Sequence, residues 1–176
     1  MVVLRPTRIL DKLLPYSAPL EAGSTTALGD WYVKPVVVGR RRFLLLVSSA
    51  SLLPMVLAGS EARSLPARLA GLVGDRLLRA GFDHDLIEAE KRAMSPVVIT
   101  GTLDRSVIGI IVDFGHSLPY YLRGAGDAFA LHEAEDGLAE TPCFAGRRVD
   151  KVVVPIDRAE TLLLERWGKG SGLPPS

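Results

Sequence analysis

LDRSVIGIIVDFGHSL, residues 103–118, is the stretch whose reading decides the fold. Turned through about 100° per residue, it gathers Val107, Ile110, Ile111, Phe114 and Leu118 on one face, with Ile108 and Val112 at its shoulder. Arg105, Ser106, Gly109, Asp113 and His116 share the remaining arc. Read with period two, the same polar residues scatter over both faces. SVIGIIVDF is also rich enough in β-branched residues to pass as a buried strand. Under the first reading the segment is a half-buried rod with a polar stripe; under the second it has no polar face.

Working outward, residues 2–4 form a short apolar strand, and Thr7 is placed to cap a helix over residues 8–14 that Pro15 stops. Residues 16–27 mix Pro, Gly, Ser and Thr without periodicity and read as a loop. Residues 31–38 and 42–47 read as strands, joined through Gly39 and Arg40 in a tight antiparallel hairpin. Ser49 or Ser51 is then expected to cap a short helix through Leu57. Residues 63–80 have a clear helical period, with Leu65, Leu69, Leu72, Val73, Leu77 and Leu78 opposite Arg68, Asp75, Arg76 and Arg79. Gly81 ends that helix, and a second starts at Asp83 or Asp85 and runs to about Met94.

Residues 96–100 are a brief strand or extended link, after which Gly101 turns the chain into the opening stretch. Downstream come a turn at 123–126, a weak amphipathic helix at 127–135, a loop at 141–148, an apolar extended piece at 149–154 and a last helix at 157–167. GKGSGLPPS, residues 168–176, reads as a flexible tail. No internal repeat or long linker divides the chain. The expectation is a single α+β domain over residues 1–167, built as a small, mainly antiparallel sheet with helices packed on one side.

Composition sets bounds on function. With 176 residues, 48% of them hydrophobic, the chain can bury roughly 70% of its unfolded surface and needs no metal or disulfide to fold. A net charge of +1 carries no overall commitment to nucleic acid or membrane. The lone Cys143 excludes an intrachain disulfide and a multi-cysteine zinc site, and it suits a cytoplasmic location. Residues 1–14 spread their charges and show no targeting pattern. The uncharged run at 43–58 follows Arg40, Arg41 and Arg42 as a membrane anchor would. It is shorter than the ~20 residues of a spanning helix and contains Ser48, Ser49, Ser51 and Pro54, so no membrane partner is expected.

Several short runs together resemble a bacterial family of small uncharacterised proteins, a domain of unknown function. They are LGDWY at 28–32, the following RRFLLLVSSASLLP, DRSVIG at 104–109, the pair Asp113 and Phe114, and ETPC at 140–143. The resemblance covers roughly residues 1–165. It implies a mixed fold in which DRSVIG begins a helix, which favours the helical reading of 103–118, and it implies no known activity. This chain departs from it at Ile110, Ile111 and Val112, where small and polar residues are expected. The proline-rich, glycine-containing segment expected after ETPC is reduced to Gly146 and Pro155.

Chemistry-bearing residues are few. Asp113 and His116, three apart on a helix, can touch, and a carboxylate orienting an imidazole is half of an acid–base pair. Gly109 would leave a notch beside them for a ligand or another backbone. Such a couple is usually a solvated or lightly paired surface couple worth a few tenths of a kcal/mol, and that is the stronger reading. His84, His116 and His132 never fall at metal-ligand spacing, and Asp83–His84–Asp85 sits at a helix start where acidic residues favour the dipole. No nucleophile elbow, phosphate loop or dinucleotide fingerprint appears, and Cys143 lacks a protease neighbourhood.

Arginines 40–42 at the hairpin, with Trp31 and Tyr32 nearby, could hold single-stranded nucleic acid. Arginines flanking strands also protect sheet edges. Two function classes therefore stand. One is a non-enzymatic interaction or regulatory module binding protein or nucleic acid through Trp31, Arg40, Arg41, Arg42, Ser106 and Gly109. The other is a small hydrolase or nuclease-like enzyme using Asp113, His116 and Arg105, with Asp104 and a bound divalent metal as an optional addition. No cofactor is expected.

Overall fold

A computed structural model describes residues 1–122, 128–144 and 152–169. Strand β1, Val2–Pro6, lies inside a five-stranded sheet of order β4-β3-β2-β1-β5, with β2 at Trp31–Val38, β3 at Arg41–Ser48, β4 at Pro54–Ala58 and β5 at Val97–Ile99. β1 runs parallel to both β2 and β5, whereas β2–β3 and β3–β4 are antiparallel. The sheet is thus mixed: antiparallel over most of its paired residues, but not purely so. Cys143–Phe144 (β6) and Val152–Val153 (β7) form a separate two-stranded ribbon.

Helices cover both faces of the sheet, not one. Because side chains alternate along a strand, Val2, Leu4, Trp31, Val33, Leu44, Leu46 and Met55 share one face. They pack there with α1 (Leu65–Arg79), α2 (His84–Ala93) and α5 (Pro155–Trp167). Tyr32, Phe43, Leu45, Val47 and Val56 point the other way, onto α3 (Arg105–Tyr121) and α4 (Ala128–Ala139). The one-sided arrangement fails because the strands are apolar at consecutive positions; β3 is buried from Phe43 through Ser48, and both faces need cover. The α+β class and the single domain stand.

The deciding stretch is a helix. Val107, Ile110, Ile111, Phe114 and Leu118 are its buried residues, and Asp104 caps it by accepting from the Ser106 N–H at 2.8 Å. Three local expectations give way. The helix after Thr7 shrinks to a 3₁₀ turn at Arg8–Leu10, and Thr7 makes no side-chain cap. The short helix before Leu57 is strand β4. Ser48 and Ser51 spend their hydroxyls on a turn instead, with Ser51 N–H bonding Ser48 Oγ, Leu53 N–H bonding Ser51 Oγ, and Leu52 at φ 64°. Arg76, assigned to the polar side of α1, is buried, while Leu78 is exposed.

The turn expected at 123–126 lies outside the described residues, as do most of the loop at 141–148 and the tail from residue 170. Among the described residues no helix is long and apolar enough to cross a membrane.

Candidate functional site

The residues singled out from the sequence do not converge. Asp113 and His116 both lie exposed on α3, and no hydrogen bond or ion pair joins them. Arg105 and Ser106 are exposed in its first turn, and the Ser106 hydroxyl bonds Asp104 Oδ1 at 2.7 Å. That bond, with the Ser106 N–H, holds the Asp104 carboxyl below its ordinary range and makes the group a cap. A side chain at Gly109 would meet only open space, so no other element packs over it. Trp31 is fully buried in the core and cannot stack on a base. Tyr32 is buried too; its hydroxyl accepts the Asp104 N–H at 2.9 Å and so fixes the start of α3 against β2.

Arg40, Arg41 and Arg42 are exposed at the hairpin. Arg41 lies over the Phe43 ring at 5.7 Å, whereas Arg42 runs beside Gly59. Strand alternation puts Arg41, paired with Val38, on the α3 side of the sheet and Arg42 on the other.

The buried charges are consumed by architecture. In an open sheet, ligands bind beyond the carboxyl ends of parallel strands; here that space is filled by Arg5. Its guanidinium donates to Asp30 Oδ2 (2.5 Å), Gly101 O (2.7 Å), Ala22 O (2.6 Å) and Leu20 O (3.2 Å), tying the loops that follow β1 and β5. Glu90 accepts the N–H groups of Ala27 and Leu28 and the Trp167 indole N–H. Glu135 accepts the Val56 N–H at 2.9 Å and Arg79 Nη2 at 2.9 Å, and stands 3.7 Å from Arg76 Nε. Burial pulls the Arg76 guanidinium below its ordinary value, against the opposing charges of Glu135 and Asp136.

Cys143 is inert for the same reason. Burial, reinforced by the charge of Asp113, pushes its thiol up to about 11. Among the described residues no three His, Cys, Asp or Glu side chains stand together in a way that could hold a metal ion.

What the surface offers instead is a groove of about 380 Å³ between β2 and α3, lined by Lys34, Pro35, Val36, Val37, Val112, Gly115, His116 and Pro119. It exists because β2 outruns its neighbour: β1 pairs with β2 only as far as Val33, leaving Lys34 to Val38 with β3 alone. The floor is apolar. Lys34 and His116 stand at its rim, and Arg41 shares the Lys34 side of the sheet. Of the residues picked out beforehand only His116 lines it. The sequence signal for the rest was Pro35, since a proline within a β-branched run marks a strand with one unpaired edge. A second hollow of about 540 Å³, lined by Ala50, the valines at 152–154, Asp157, Arg158 and Thr161, contains none of those residues.

No curated protein and no solved structure matches the chain. The model of the family described as "Domain of unknown function (DUF6933)" matches residues 3–158, which is most of its length, and the chain belongs to that family.

Proposed function

We propose that this protein is a non-enzymatic interaction module that binds a protein partner of acidic character through the groove between β2 and α3. The observation carrying this reading is the groove's make-up: an apolar floor of Val36, Val112, Gly115 and Pro119 with Lys34 and His116 at its edge. Apolar floor and charged rim are the anatomy of a recognition surface. Acid–base chemistry has weaker support, because Asp113 and His116 share no hydrogen bond and each faces solvent. Nucleic acid is disfavoured as partner because Trp31 and Tyr32 are in the core and net charge is only +1.

The test is a titration of ¹⁵N-labelled protein with a decapeptide of alternating Val and Glu, with its Val–Lys counterpart, and with single-stranded oligo-dT. Shifts confined to residues 34–38 and 112–119 with the acidic peptide, fading as salt rises, support the reading. Binding should disappear in Gly115→Leu, whose Cβ meets only Val36 Cγ2 at 3.6 Å, so that the new side chain fills the groove without disturbing the core. An unresponsive groove, or tighter binding of oligo-dT, overturns it.

A further inference from the structure

Among the described residues the sheet has its two outer edges closed and one stretch of strand left open. On the outer edge of β4, outward-facing backbone groups of three alternate residues are taken by charged side chains. Pro54 O accepts from Arg76 Nε at 3.3 Å, Val56 N–H donates to Glu135 at 2.9 Å, and Ala58 N–H donates to Glu61 at 3.1 Å. On the outer edge of β5, Ile99 N–H donates to Ser17 Oγ at 3.0 Å and Ile99 O accepts from Ser17 and Ala18 N–H. Unpaired edges template association, and burying charges against them is a costly way to prevent it. The far half of β2 has no such cover among the described residues.

Its polarity follows from two independent facts. Val33 O accepts the Thr7 N–H that follows β1, so the backbone groups of Val33 face the β1 side. Alternate residues repeat that direction, which sends Pro35 O and both backbone groups of Val37 to the same open side. Pro35, having no N–H, fits only where none is needed by β3. The open edge therefore offers Pro35 O, Val37 N–H and Val37 O. Val37 is 63% exposed, and Ile9, just beyond Thr7, is 80% exposed.

From this geometry we infer that the partner is an extended acidic peptide segment that adds as a strand to β2 at Val37, its alternate side chains entering the groove beside α3. The inference rests on the groove being the binding surface and says how it binds. Main-chain bonds to Val37 supply affinity, and the Lys34 ammonium in the groove lining selects acidic over basic segments.

The experiment uses the Val–Glu decapeptide and two readouts. Val37→Pro deletes the open-edge N–H at a position with the same outward direction as Pro35, so the β2–β3 ladder keeps its bonds. An unchanged melting curve verifies the fold. Affinity should fall about fivefold or more, the worth of one net backbone hydrogen bond. Independently of any substitution, the Val37 amide of the wild-type protein should exchange several-fold more slowly when peptide is bound.

If wild type binds, Gly115→Leu does not, and both the Val37→Pro affinity and the Val37 exchange rate are unaltered, strand addition is wrong while the groove reading survives. Failure of the wild-type groove to bind the peptide overturns both. Val37 protection that appears with protein concentration alone, together with dimer in sedimentation, makes a second copy the occupant and also overturns the inference.

Discussion

Glu135 offers the sharpest test of how the fold spends its buried charge. Replacing it with Met leaves three groups without their partner: the Val56 N–H, the Arg79 guanidinium and, across 3.7 Å, that of Arg76. These are not equal. Arg79 is 35% exposed on its side chain, so water replaces most of what it loses, and its share is under about 1 kcal/mol. The orphaned Val56 N–H costs about 1–3 kcal/mol. Arg76, 1% exposed, keeps the Pro54 carbonyl at 3.3 Å and, of its acidic partners, only Asp136 at 3.2 Å, itself largely in solvent. The whole should come to about 3–5 kcal/mol, as when one member of a buried pair is removed. With a urea slope of about 2 kcal/mol per molar for a chain this size, the midpoint falls by roughly 2 M.

Glu135→Gln retains an acceptor for Val56 and should lose about half as much. Arg76→Met added to Glu135→Met should recover part of the loss, since no uncompensated charge then remains deep inside. The account fails if Glu135→Met costs less than about 1 kcal/mol, or if the double variant is less stable than the single by the full cost of Arg76→Met alone.

Four further outcomes follow from the same structure. Gly59→Ala should lower the melting temperature by roughly 3–10 °C, because its Cβ would sit 2.8 Å from Arg42 Cβ and 2.9 Å from Arg42 O, forcing backbone to move at about 1–3 kcal/mol. Cys143 should react with iodoacetamide at pH 8 roughly a hundredfold more slowly than a thiol of ordinary value 9.0. Its folded-state value is the higher one, so this contribution to stability is intact below about pH 9 and is lost as pH rises from there towards about 11; equilibrium unfolding at pH 8 and pH 10.5, with Cys143→Ala as control, reads this directly. Asp113→Ala and His116→Ala should each leave urea stability within about 0.5 kcal/mol, since both lie in solvent, and a larger loss would reveal a coupling between them.

Local periodicity made α1 legible in the sequence, aliphatic and alternating runs bounded by turn residues made β2 and β3 legible, and α3 became so once the resemblance favoured the helical reading of its two possible periods. Val107, Ile110, Ile111, Phe114 and Leu118 are buried just where the helical wheel puts them. β4 was not legible. Ser48 and Ser51 suit a helix cap as well as a turn, and the choice is made by Leu28 O, which takes the Ser48 hydroxyl from twenty residues away. Arg76 was misplaced for a similar reason: its charges of opposite sign, Glu135 and Asp136, lie on α4, far along the chain from α1. The two-sided cover of the sheet was missed because a wholly apolar strand does not say how many layers will shelter it.

The run Ile110–Ile111–Val112, apolar where the resemblance implies small and polar residues, has a divided role that bears on the choice between chemistry and recognition. Ile110 and Ile111 are buried against the sheet and contribute only packing. Val112 turns to the surface and forms part of the groove wall, next to Gly115 and opposite Val36. Polar side chains along that wall would compete with the open β2 edge for the backbone of an incoming strand and would keep water in the groove. A valine does neither. It keeps the wall beside Val37 apolar and leaves main-chain bonds as the polar contacts the open edge offers an incoming strand. The residue that weakens a catalytic reading of α3 is thus the one that suits the same helix to holding a peptide.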